Sequence, residues 1–194
     1  FALEGARDMG SGYLPEREGR ATAKRSLLSV RGLLIKINKG TIISWLLGFV
    51  VMGVAYGSIY GDMQVFIESN ELIEQMFSAE GVSMEASFTG TIMMVMIGLV
   101  SILPISIVNK LYTAESRLYL SQIYATKVTR RELYWTSVSL AIFTGLLGIL
   151  LSVVGLGGTA MIVMDGSRSM TLTDFLAAGF NFLPSVLFFI SLAA

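Results

Sequence analysis

Leu133 to Met164 reads LYWTSVSLAIFTGLLGILLSVVGLGGTAMIVM, 32 residues without one charged side chain. A helix of that length would reach about 48 Å, well beyond the roughly 30 Å of a bilayer's hydrocarbon core. A buried helix of a water-soluble domain does not need such a run. Three more uncharged windows exist, at 40–61, 86–109 and 175–194. Each is about 20 residues or longer, the length that spans a membrane as a helix. The chain has 194 residues, of which only 14% are charged and 54% hydrophobic. The fold class is therefore all-α: a polytopic membrane protein with four transmembrane helices in this segment. A soluble globular enzyme is excluded on this reading.

Composition removes further chemistry. There is no cysteine and no histidine. Thiolate nucleophiles, Ser-His pairs, Cys-ligated clusters and histidine-ligated haem or zinc are thus absent, and no metal site is expected. Lys+Arg and Asp+Glu are 14 each, so no global positive charge points to nucleic acid. No window carries an ionisable side chain other than tyrosine, which argues against an intramembrane proton relay or protease. The chain opens on Phe1 and stops at Ala194 inside an apolar run, as expected of a segment of a longer protein, the last helix being truncated.

The connections set the organisation. Residues 1–26 form a polar, glycine-rich linker. Residues 27–39 are a basic amphipathic stretch, expected as a helix along the membrane surface, with a frayed start of the next span as the alternative. In the window 40–61, Gly53, Gly57 and Gly61 recur every fourth residue, so they share one helix face and admit close approach of another helix. Residues 62–85 carry acidic residues and no Lys or Arg; Asn70 is a candidate cap of a short helix there. Pro104 should kink the span 86–109. Gly155, Gly157 and Gly158 are expected to end or bend the long window before Met164. Thr171 and Asp174 have capping-box spacing at the end of the polar turn 165–174.

Charge orients the chain. Residues 1–39 hold eight basic residues and 110–132 hold five, whereas 62–85 hold none and 165–174 hold one. The positive-inside rule then places 1–39 and 110–132 in the cytoplasm and the other two connections outside. Trp45, Tyr134 and Trp135 fall near the inner interface, Tyr56 and Tyr60 near the outer one.

The connection 110–132 is long for a link between helices. Glu115 to Tyr124 can form a helix with Leu120, Ile123 and Tyr124 on one face, and Arg117 among the residues elsewhere on it. Thr129 and Glu132 have capping-box spacing, so Thr129 should start the third membrane helix. Arg130 and Arg131 then lie in a first turn whose dipole disfavours cations, and lipid phosphate or an acidic partner could offset that cost.

Two stretches carry a family resemblance. Arg7-Asp8-Met9-Gly10-Ser11-Gly12-Tyr13-Leu14-Pro15, followed by Gly19-Arg20-Ala21, resembles the central linker of bacterial permeases that export polyketide antibiotics, members of the type-two ABC exporters. Ala125-Thr126-Lys127-Val128-Thr129-Arg130 resembles that family's Ala-Thr-Pro-Val-Ser-Arg run before a membrane helix, and Glu115 falls where the family places an acidic residue. The chain departs from the family at Lys127, where proline is common, and at Leu118-Tyr119, where Gly-Arg is usual. The order of spans and connections is also similar. The resemblance implies a permease of an ATP-driven exporter in a bacterial cell membrane, moving an amphipathic or hydrophobic small molecule outward. It implies no enzymatic site and no cofactor in this chain. ATP and Mg would be bound by a dimeric ABC ATPase subunit; the other half of the permease and membrane lipids complete the partners. The ATPase-coupling residues implied are Glu115, Arg117, Leu120, Ile123, Tyr124, Thr126, Arg130 and Arg131. The competing reading is a non-transport membrane scaffold or assembly subunit.

Overall fold

The computed structural model describes residues 22, 27, 29–62, 84–164 and 170–194. These residues are almost entirely helical, and four helical segments are long and apolar enough to cross a membrane: Val30–Gly61, Glu85–Ser116, Arg130–Val163 and Leu172–Ala193. The expectations for 1–21, for Asn70 and most of the acidic connection, and for 165–169 lie outside the described residues.

The first span is α1 (Val30–Ser58), closed by a 3-10 turn at Ile59–Gly61. Ser29 caps it, its hydroxyl accepting from the Gly32 N–H at 3.2 Å. The separate surface helix expected over 27–39 is not formed: from Val30 onward the basic stretch is the first part of α1 itself. No proline interrupts the junction, and Gly40 alone costs a helix only about 1 kcal/mol. Arg31, Lys36 and Lys39 are thus carried on a helix that extends past the bilayer's apolar core.

The second span is broken. α2 (Met84–Val100) stops, and α3 (Ile102–Ser116) restarts after Ser101. The fourth behaves the same way, with α6 (Leu172–Phe180) and α7 (Leu183–Ala193) separated at Asn181–Phe182. Both helices end four residues before a proline, Pro104 and Pro184. Proline has no N–H to give the carbonyl four residues back, and its ring crowds that carbonyl. The first break follows from Pro104, and Pro184 carries the same signal in the fourth span. Ser101 donates its hydroxyl to the Ile97 carbonyl at 2.8 Å, which keeps that polar group satisfied in the buried joint.

The third span is α5 (Arg130–Val163), one unbroken helix of 34 residues. The glycines 155, 157 and 158 do not end it. Two of them are packing positions instead: a β-carbon on Gly157 would meet the Phe175 ring at 3.0 Å, and one on Gly155 would meet the Val50 carbonyl at 3.0 Å. α5 is the centre of the bundle, packing on α1, α3, α6, α7 and α2. Its buried face includes Leu133, Ala141, Gly145, Gly148, Ile149, Val153, Leu156 and Ala160. Gly145 faces both jointed spans, with Val186 and Pro104 side-chain atoms 3.2 and 3.6 Å from where its β-carbon would be. In lipid, association of this kind is driven by close van der Waals contact rather than by escape from water.

The bundle has two chemically distinct ends. The start of α1, the end of α3 and the start of α5 come together, shown by Lys110 Nζ donating to the Ile37 carbonyl at 3.3 Å. That end carries Arg31, Lys36, Lys39, Lys110, Arg117, Lys127, Arg130 and Arg131. At the other end, Tyr60 is buried within the bundle. Its hydroxyl pairs with Thr89 Oγ1 at 2.5 Å, and its ring stacks edge-on against Phe88 and Phe175 at 5.3 and 5.8 Å. Asp62, Glu85 and Asp174 lie at this end. The Asp174 carboxylate accepts from the Thr171 N–H at 2.7 Å, the acidic half of a capping box.

Candidate coupling turn and helix seam

The connection between α3 and α5 is a compact turn rather than one helix over 115–124. α3 runs through Glu115 to Ser116 and ends in a Schellman motif. The Tyr119 N–H donates to the Ala114 carbonyl at 3.0 Å and the Leu118 N–H to the Glu115 carbonyl at 2.9 Å. The motif requires a left-handed residue, and Leu118 takes it with φ 61°. A side chain there costs about 1–2 kcal/mol relative to glycine. A four-residue helix, α4 (Ser121–Tyr124), follows. The chain then turns through 125–127 to Thr129, whose hydroxyl accepts from the Glu132 N–H at 3.2 Å and caps α5.

This path sorts the candidate residues. Glu115, Tyr124 and Arg130 converge: Arg130 Nε lies 3.4 Å from Glu115 Oε1, and its guanidinium sits over the Tyr124 ring, 5.3 Å from the centroid. The cation that the α5 dipole disfavours is thus met by an acidic residue and an aromatic face of the same chain. Desolvation, followed by the nearby Glu115 charge, pushes the Tyr124 hydroxyl above the ordinary tyrosine range. The ion pair is largely exposed, so its own contribution is about 0–1 kcal/mol.

Leu120 is buried and Ile123 half-buried, and both line an internal cavity together with Arg117. Thr126 donates its hydroxyl to the Ile123 carbonyl at 2.6 Å and closes the turn. Arg131 lies apart from the Glu115 group, in a shallow groove with Arg31, Glu132 and Trp135. The apolar side chains that the turn displays are Leu118, 75% exposed, and Tyr119, 68% exposed. Sequence periodicity missed them because it assumed a continuous helix; the departure from Gly-Arg at these two positions was the available signal.

The second constellation is the glycine seam. A β-carbon on Gly53 would lie 2.6 Å from the Ser152 carbonyl oxygen. One on Gly57 would lie 2.5 Å from that of Leu156, and one on Gly61 would collide with Val163. Gly53, Gly57 and Gly61 all face α5, and the first two meet its backbone. Among the described residues no cluster of acidic side chains could hold a metal ion.

These features define a multi-pass helical membrane protein, with charged turns gathered at one end of tightly seamed spans. Residues 27–194 match the family described as multidrug efflux system permease Rv1217c, C-terminal domain, and the chain belongs to that family. It is 25% identical over 160 residues to the multidrug efflux system permease protein Rv1217c of Mycobacterium tuberculosis. That match covers 81% of this chain and 29% of the relative, so the chain spans under a third of the relative's length.

Proposed function

We propose that this chain is part of the membrane permease of an ATP-driven ABC exporter. In this reading it moves an amphipathic or hydrophobic compound of the antibiotic or drug class out across a bacterial cytoplasmic membrane. A separate ATPase dimer binds ATP and Mg, and this chain supplies spans and a docking turn. Residues 1–39 and 110–132 face the cytoplasm. The observation that carries the reading is the match of residues 27–194 to an efflux permease family.

The turn 115–126 is the contact for the ATPase. Leu118 and Tyr119 supply exposed apolar surface. Glu115, Tyr124 and Arg130 tie the end of α3 to the start of α5, so force applied to the turn reaches both helices. Two features support this assignment: Lys110, Arg117, Lys127, Arg130 and Arg131 all lie in the connection 110–132, and none of the four uncharged windows carries an Asp, Glu, Lys, Arg or His to accept energy from an ion gradient.

The test uses the lack of cysteine in these 194 residues, any cysteine elsewhere in the full-length permease being replaced by serine first. Tyr119→Cys in the full-length permease, paired with single cysteines on the ATPase, should crosslink with a yield that changes between nucleotide-free and ATP-trapped states. A scaffold would give either no crosslink or one indifferent to nucleotide.

A further inference from the structure

Between α1, α3, α4 and α5 lies a cavity of about 350 Å³. This is near the lower end of the roughly 300–1,000 Å³ usual for small-molecule sites. Its walls are apolar: Leu33, Leu34, Ile37, Ile107, Leu120 and Leu133. The buried Asn38 in its lining already donates to the Leu34 carbonyl at 2.9 Å. Two cations, Lys110 and Arg117, line it, and no carboxylate does. Both cations are exposed, which puts them at the mouth. Lys110 is held there by its bond to the Ile37 carbonyl, which uses one of its three donors.

An apolar slot with a doubly cationic mouth matches one kind of occupant. We propose that the cavity binds an anionic phospholipid, with an acyl chain among the leucines and isoleucines and the phosphate against Lys110 and Arg117. A neutral amphiphile gains nothing from the two cations, and a soluble anion gains nothing from the walls. The mouth lies at the end of the bundle where α1 and α3 become charged, the level of lipid headgroups. Basic pockets between membrane helices are known to hold such headgroups. The bound lipid bridges α1, α3 and the turn that follows α3. The inference rests on the multi-pass membrane fold; because Arg117 and Tyr119 of the turn 115–126 also line the cavity, lipid binding is read on the permease without its ATPase.

The experiment uses the full-length protein purified in detergent, with phosphatidylglycerol or phosphatidylcholine added. Retained lipid is read by native mass spectrometry and the melting temperature by fluorescence. Phosphatidylglycerol should bind and raise the melting temperature, and phosphatidylcholine should not. Lys110→Gln with Arg117→Gln should weaken phosphatidylglycerol binding by about thirtyfold. Ala114→Leu, which intrudes into the cavity and keeps both cations, should do the same and decides the matter if the double variant does not fold. Lys36→Gln with Lys39→Gln removes equal charge from the same end, outside the cavity, and should bind as the parent does. Equal loss in that control would reveal mere surface attraction and overturn the proposal. So would unchanged binding in both cavity variants, equal binding of phosphatidylcholine, or an absence of retained lipid because other spans of the complete protein fill the space.

Discussion

Gly155 of α5 lies so close to Gly53 of α1 that a β-carbon on Gly155 would sit 3.3 Å from the Gly53 Cα. The two helices touch backbone to backbone at this point, which only small residues allow. The seam should therefore distinguish glycines by position. Gly57→Ala forces a methyl group against the Leu156 carbonyl, whereas Gly48→Ala meets nothing within 4 Å. Overpacking of a tight site costs about 1–3 kcal/mol. Thermal unfolding of the purified full-length protein should show a lower midpoint for Gly57→Ala, and Gly57→Leu should reduce folded yield outright. Gly48→Ala should be indistinguishable from the parent. Equal behaviour of positions 48 and 57 would remove the seam.

The left-handed Leu118 allows folding and docking to be separated. Leu118→Gly relieves about 1–2 kcal/mol of backbone strain, partly offset by the greater freedom of glycine when unfolded. The variant should be as stable as the parent or slightly more so. It also removes an exposed apolar side chain from the proposed docking turn. Truncating an interface anchor costs about 1–4 kcal/mol of binding. Co-purification with the ATPase should fall while thermal stability holds. Retained co-purification would show that Leu118 is not an anchor.

Glu115 and Arg130 form a mutual pair across the turn, so exchanging them should matter less than breaking them. Glu115→Arg or Arg130→Glu alone places like charges together and should lower export with little change in membrane insertion. The combined Glu115→Arg, Arg130→Glu variant should recover part of the export. Because the pair is exposed, its effect on unfolding should stay within about 1 kcal/mol and shrink with added salt. An export assay on the three variants checks this, and failure of the swap to improve on either single change would sink the pairing argument.

Sidedness has its own test. A cysteine replacing Ser121 should be protected from an impermeant maleimide in intact cells and labelled after permeabilisation. A cysteine replacing Ser78 should be labelled from outside. The reverse pattern would invert the orientation.

The spans were legible because membrane helices announce themselves by uninterrupted apolar length, and Pro104 announced its break by the missing N–H. Thr129 was legible as a cap because the hydroxyl and Glu132 stand at fixed spacing in the chain. The glycine face was legible as a face; its counterpart on α5 was not, since Ser152, Leu156 and Ala160 carry no pattern that names a partner helix. The basic stretch 27–39 misled because charge was read as a boundary. A helix can run from headgroups into hydrocarbon without a break, carrying Lys36 and Lys39 at its wet end. Glycines 155 and 157 misled in the opposite sense, their flexibility counted where their smallness mattered. The turn after α3 was misread because periodicity says nothing about a Schellman ending, which is settled by two backbone hydrogen bonds around Leu118.

The uninterrupted course of α5 has a mechanical meaning. Two of its neighbours contain a proline joint partway along, at Ser101 and at Asn181–Phe182. α5 has no such joint between Arg130 and Val163. Its hydrogen-bonded ladder resists compression. Under the proposed coupling, a push on Thr129 and Arg130 would therefore reach the far end, beside Gly61 and the Tyr60–Thr89 pair, and α5 would serve as the connecting rod of these spans.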